Sequence, residues 1–297
     1  MKTYTIEEIV HQLQTSLQKI HTKQTALQCA WWLIQWATGK NHTYWLTRKQ
    51  QTLTEQQHAQ LMQALEEHIV EHKPLHYILG SVPFLNLEII VEPPILIPRP
   101  ETEQWCSDLI DKLNLLQDKN LRILDMCTGS GCIGLALAHA LPNSFVDAVD
   151  ISLQACKLAQ KNAQLNNIKN INIIESDLFA QIPVDTKYDL IVSNPPYIAY
   201  DDWLKLDPHI KLWEDPQALW TEDQGYTIIK SLVSQARTWL RYRSDFIPLN
   251  IPQLIIEIGS TQGNNVKEYM LSNTFTSVTI TKDNAGLDRI VSAGIDI

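Results

Sequence analysis

Apolar positions along the chain change character once, near residue 75. Before it, Ile6, Ile9, Val10 and Leu13 recur at helical spacing, and Thr54-Glu55-Gln56-Gln57 reads as a capping-box-like start of a helix through Ile69. Residues 1–75 are rich in Gln, His, Lys and Leu and hold no glycine except Gly39, so they read as an amphipathic helical domain. Trp31, Trp32, Trp36 and Trp45 are read as core or interdomain packing. Residues 76–98 carry β-type runs such as Leu87 to Val91 and read as a linking hairpin. From residue 99 to 297, strand-like runs alternate with helical ones, which predicts an α/β domain with a parallel sheet. Phe275 to Ile280 and Arg289 to Ser292, separated by Asn284-Ala285-Gly286, read as a terminal antiparallel hairpin added to that sheet.

The first of these strands, Leu121 to Leu124, runs into Asp125-Met126-Cys127-Thr128-Gly129-Ser130-Gly131 and then the helical stretch Ile133 to Leu141. A strand, a glycine turn and a helix bring backbone close to a ligand. The glycines alone do not separate NAD from S-adenosylmethionine. Phe145 to Val149 ends in Asp150, 19 residues after Gly131, where a carboxylate can accept ribose hydroxyls. Ile171 to Ile174 ends in Glu175-Ser176-Asp177, from which a side chain can meet an adenine edge. Acids at three successive strand ends tolerate a cationic sulfonium better than a pyrophosphate. Taken singly, each acid also reads as a solvated strand end or a helix cap.

The fourth apolar run, Leu190-Ile191-Val192, leads through Ser193 into Asn194-Pro195-Pro196-Tyr197. Two prolines give up two backbone donors and fix φ twice, and the first turns Asn194 away from the helical region. The strand therefore ends in a rigid, extended loop. Asn194 offers a side-chain oxygen, Pro195 a carbonyl, and Tyr197 a ring and a hydroxyl, a set suited to holding a planar NH2.

These motifs together resemble S-adenosylmethionine-dependent methyltransferases that act on a planar amino group. Pro74-Leu75-His76-Tyr77-Ile78-Leu79-Gly80 and Leu96-Ile97-Pro98-Arg99-Pro100-Glu101-Thr102-Glu103 narrow the resemblance to the release factor glutamine methyltransferases. It continues through Glu214 to Leu219, Leu254 to Gly259 and Asp283 to Arg289, almost the whole chain. The resemblance implies a Rossmann-like class I methyltransferase fold with a small N-terminal helical domain that docks the protein substrate. It implies S-adenosylmethionine held over Cys127, Thr128, Gly129, Ser130 and Gly131, with Asp150 at its ribose and Asp177 and Leu178 near its adenine. Asn194, Pro195, Pro196 and Tyr197 would then grip the glutamine of a Gly-Gly-Gln loop in a peptide-chain release factor, without a metal. The chain departs from the family pattern at Cys127 and Asn86, where glycine is usual, and at Leu178, where an aromatic is frequent.

Bulk composition trims the alternatives. A net charge of −9, from 24 basic and 33 acidic residues, argues against a surface built to neutralise phosphates. Five cysteines without CxxC or metal spacing predict reduced thiols and a cytoplasmic setting. No secretory signal and no run of ~20 apolar residues is evident, so no membrane role is expected. An adenine-specific nucleic-acid methyltransferase would use the same tetrapeptide, and a non-catalytic cofactor-binding protein is a further reading.

Overall fold

The computed structural model describes residues 4–48, 50–116, 118–242, 248 and 251–295. The outermost residues of the first and last predicted domains, 1–3 and 296–297, lie outside them. The chain divides into two compact units, Met1–Gly80 with Asp207–Trp213, and Ser81–Leu206 with Glu214–Ile297.

The first unit is helical: Ile6–Leu17, Lys23–Thr38, His42–Leu46, Glu55–Ile69 and Leu75–Leu79. Capping boxes open two of these helices, Thr5 with Glu8 and Thr54 with Gln57, each pair satisfying two backbone donors that the first turn leaves open. Gly39 closes the second helix at φ +65°, a left-handed conformation that costs glycine little. Ile6, Ile9, Leu13, Leu17, Leu33, Ile34 and Leu61 are fully buried in its core. Trp45 is buried there with its indole donating to Thr38 Oγ1 at 3.2 Å, and Trp31 and Trp36, partly buried, pack against that core, whereas Trp32 is exposed.

His68 is a buried polar side chain in that core. Its Nδ1 lies 2.7 Å from the Lys73 carbonyl and can only donate to it, so in the neutral ring Nε2 accepts from His21 Nε2 at 2.9 Å. Burial pushes the His68 pKa down to about 4 against the pull of the Lys73 carbonyl, and the neighbouring His209, His21 and His76 add to the fall. The folded form therefore binds fewer protons than the unfolded one between pH ~6.5 and about 4. This contribution is present in full above pH ~6.5 and is lost as pH falls through that window. Hydrogen exchange of the first unit should show weaker protection at pH 5 than at pH 7.5 after correction for intrinsic rates. His68→Gln should flatten that difference, and an equal pH dependence in the variant would contradict the assignment.

In the second unit, β1 (Ser81–Phe84) and β2 (Leu87–Ile90) form an antiparallel hairpin. Its turn places Leu85 at φ +52°, and Glu103 accepts the Leu85 N–H at 2.7 Å. Asn162 accepts from the Ile90 N–H at 2.7 Å and donates to the Ile90 and Ser130 carbonyls, clamping β2 to the helix Leu153–Leu165.

The main sheet contains β3 (Arg122–Met126), β4 (Phe145–Asp150), β5 (Ile171–Glu175), β6 (Leu190–Ser193), β7 (Leu254–Glu257), β8 (Thr276–Lys282) and β9 (Asp288–Gly294). Their order is β5-β4-β3-β6-β7-β9-β8; β3 to β7 are parallel, and β9 runs antiparallel to both β7 and β8. The sheet is thus α/β and mostly parallel, and it ends in the expected antiparallel hairpin. The chain leaves β3 toward β4 on one side and returns as β6 on the other, which opens a crevice beyond the carboxyl ends of β3 and β6. Leu124, Ile191, Leu254 and Ile256 are fully buried, as strands covered on both faces require. Among the described residues no helix is long and apolar enough to cross a membrane.

Candidate active site

Strand register assembles the site. Met126 pairs with Ser193 and Ser193 with Ile256, so Cys127, Asn194 and Glu257 follow one another across three adjacent strand ends. Ser193 Oγ donates to the Met126 carbonyl at 2.8 Å and ties the first two ends together.

Beyond β3 the chain turns sharply: Cys127, Gly129 and Gly131 have φ of +60°, +55° and +86°. Left-handed backbone disfavours a side chain, so Cys127 occupies a position for which glycine is the unstrained residue. An added Cβ at Gly129 would meet nothing within 4 Å, which leaves its backbone open to a ligand. At Gly131 it would lie 3.0 Å from Ala159 Cβ, so this glycine serves the contact with the helix Leu153–Leu165.

Two acids hold the turn. Asp150 Oδ2 accepts the Gly129 N–H at 2.8 Å and Oδ1 accepts the Ser152 N–H at 2.9 Å, leaving each oxygen further acceptor capacity. Burial raises its pKa while these two bonds oppose the rise. Asp125 is fully buried; its Oδ2 accepts from Thr128 Oγ1 at 2.5 Å and from the Gly134 N–H at 2.9 Å. Its Oδ1 has no partner among the described residues, and burial pushes the carboxyl up to about 7.

These ends surround a cavity of about 480 Å³. Every predicted site residue lines it except Gly131, Pro195 and Tyr197. Pro195 is buried, and Tyr197 directs its hydroxyl to Glu257 Oε1 at 3.4 Å, with Arg289 Nη1 3.5 Å away. Burial and the Glu257 charge raise the Tyr197 pKa, so the phenol stays protonated. Asp177 reaches the rim, and Leu178 sits at φ +46°, lines the cavity and packs against the core. Four acids line the cavity, Asp150, Asp177, Asp215 and Glu222, against one cation, Arg99, which is itself paired with buried Glu214 at 2.5 Å. That balance fits a cationic sulfonium ligand with ribose hydroxyls and disfavours a dinucleotide pyrophosphate. The open backbone at Gly129 and the spare acceptor sites on Asp150 fit S-adenosylmethionine in the same way. Among the described residues no group of three or more His, Cys, Asp or Glu could hold a metal ion.

Several site residues escaped the sequence reading. Glu257 is buried at the end of β7, and its Oε2 accepts from Thr102 Oγ1 at 2.7 Å and Trp105 Nε1 at 2.8 Å. A carboxylate ending the apolar run Leu254-Ile255-Ile256 was the available signal. Gln262 Nε2 donates to the Tyr197 carbonyl at 2.9 Å, and Gly225 packs on that same carbonyl. Trp220 lines the cavity and pairs through Ile198 with the tetrapeptide segment. Nothing in the local sequence marked Gln262, Gly225 or Trp220.

Known proteins resemble this chain over most of its length. Residues 106–205 match the methyltransferase small domain and residues 8–80 the PrmC N-terminal domain. A release factor glutamine methyltransferase of Thermodesulfovibrio yellowstonii is 35% identical over 82% of this chain and 84% of its own length. One from Lactococcus lactis is 35% identical over 85% of this chain and 88% of its own. Among solved structures, the hMettl16 catalytic domain in complex with the MAT2A 3'UTR hairpin 6 superposes with a TM-score of 0.56 over 88% of this chain and 94% of its own, at 14% identity, a likeness of fold. With a methyltransferase sheet, its glycine turn and Asn-Pro-Pro-Tyr at one crevice, and relatives matched over most of their length, the chain belongs to the release factor glutamine methyltransferase family.

Proposed function

We propose that this enzyme transfers a methyl group from S-adenosylmethionine to the side-chain amide nitrogen of the glutamine in a Gly-Gly-Gln loop of a peptide-chain release factor. The observation that carries the reading is Asn194 at the cavity wall: its Nδ2 points to Thr102 Oγ1 at 3.3 Å, which leaves Oδ1 as an acceptor for a substrate N–H. By resemblance to the family, the Pro195 carbonyl would take the second amide hydrogen and the Tyr197 ring would pack beside the amide, although neither residue is among those lining the cavity. Bound over residues 127–131, S-adenosylmethionine supplies an electrophilic methyl group on a cationic sulfur.

Positioning is the main device. Two acceptors on one NH2 fix the plane of the amide and aim its nitrogen, converting encounter into a near-attack arrangement. The acidic lining favours the cationic donor over its neutral product. Asp150 would hold the ribose hydroxyls with its spare lone pairs, and Asp177 and Leu178 would lie toward the adenine. A nitrogen that has received the methyl group sheds its proton to water, so no dedicated base is required.

The helical unit docks the release factor, an assignment supported by the match of residues 8–80 to the PrmC N-terminal domain. All five cysteines are free thiols, which fits action in the cytoplasm. The net charge of −9 favours a protein substrate over nucleic acid.

The test is incubation with methyl-labelled S-adenosylmethionine and either a release factor or DNA, with the label located by mass spectrometry. Label on the Gly-Gly-Gln glutamine supports the reading. Label on adenine would move the assignment to a nucleic-acid methyltransferase, and no transfer to either would leave a cofactor-binding protein.

A further inference from the structure

The Arg-Pro-Glu-Thr-Glu segment is the sequence motif that the proposed chemistry leaves without a role at the reacting group. Two of its members are accounted for structurally: Arg99 pairs with Glu214, and Glu103 holds the hairpin turn at Leu85. Thr102 is different. It is 2% exposed, lines the cavity, and its hydroxyl stands between Asn194 and Glu257.

A threonine hydroxyl has one proton to give. Here Glu257 Oε2 takes it at 2.7 Å, a short bond to a carboxylate that also accepts from Trp105 at 2.8 Å and lies beside Tyr197 and Arg289. With its proton spent, Thr102 Oγ1 can only accept. The group of Asn194 facing it at 3.3 Å must therefore be the NH2, and the amide oxygen must face away from it. Asparagine's two ends have nearly the same shape, so shape alone does not choose between them. The choice comes from the proton bookkeeping of the chain Glu257–Thr102–Asn194.

We infer that Thr102 and Glu257 are positioning residues that set the amide orientation of Asn194, keeping its oxygen, and not its NH2, toward the substrate amine. The inference rests on the glutamine-methylation reading above. A flipped Asn194 would offer donors to a group that is itself a donor, and the amine would lose one of its two acceptors. Glu257 acts through Thr102, with Trp105 and Tyr197 holding the carboxylate in place. The parallel register of β6 and β7 brings the carboxylate alongside the tetrapeptide.

The experiment compares wild type, Thr102→Val, Thr102→Ser and Glu257→Leu in methyl transfer to intact release factor, with S-adenosylmethionine affinity and thermal unfolding measured on each. Valine removes the acceptor that selects the NH2. Leucine at 257 removes the acceptor that takes the Thr102 proton and frees that proton to turn toward Asn194, which favours the flipped amide; glutamine would not serve, because Trp105 donates to the same oxygen and would hold the glutamine carbonyl there. Both should lower kcat about tenfold or more, the scale of one misdirected polar contact, while the dissociation constant for S-adenosylmethionine changes by less than about threefold. Serine restores the hydroxyl and should recover most of the loss seen with valine. Thr102→Val with kcat within about twofold of wild type would overturn the inference, as would a loss that serine fails to rescue or one that tracks cofactor affinity or unfolding temperature. Wild-type enzyme that labels no release factor would instead sink the glutamine-methylation reading, and this inference with it.

Discussion

Asn194→Ala is expected to lose methyl transfer by about 10²–10³-fold, the range for removing one positioned polar group that acts on the reacting centre. The side chain is held from both ends. Ser193 fixes the backbone before it through the Met126 carbonyl, and two prolines stiffen the backbone after it. Alanine keeps that backbone and removes only the acceptor oxygen and the bond to Thr102. Cofactor affinity should therefore change far less than turnover. Single-turnover assays on release factor, with cofactor binding by calorimetry, separate the two. Turnover close to wild type would show that the amine is not held by this oxygen.

Gly225→Ala is expected to be almost as damaging, from a residue that holds no ligand. Gly225 has φ +86°, and a Cβ built there would lie 2.1 Å from the Tyr197 carbonyl oxygen and 2.9 Å from Gln262 Nε2. That carbonyl is the one Gln262 anchors at 2.9 Å, so the methyl group would drive directly into the bond that seats the end of the tetrapeptide. Asp223 and Gln224 before it already occupy left-handed backbone, at φ +54° and +56°, which leaves the segment little room to yield. The Tyr197 end of the loop must then move. A displacement on the order of 1 Å at a positioned group costs about 10²-fold in rate, and that is the loss expected in kcat/KM. Circular dichroism would confirm that the sheet survives. A folded variant within about threefold of wild type would mean that the loop does not depend on this contact.

What could be read from residue order was local. Alternation and apolar runs located β3 to β6 and the terminal hairpin because a strand's side chains repeat every two residues whatever it pairs with. The capping box at Thr54 was visible because donor and acceptor are three residues apart. Asp150, Asp177 and Asn194 stood out because strand ends in such a sheet open onto one crevice, and all three do line one cavity. The tertiary structure decided what each group spends its bonds on. Asp150 gives part of its capacity to the Gly129 and Ser152 N–H groups, and Gly131 makes room for Ala159. Tyr197 turns its hydroxyl to Glu257, and Cys127 accepts a left-handed φ that its sequence neighbours do not announce. Asp207–Trp213, embedded in the stretch read as one domain, groups with the helical unit. Glu257 meets Thr102 from 155 positions away. Periodicity reports which face a side chain takes, whereas a hydrogen bond between distant residues depends on strand register and packing, and those exist only once the chain has folded.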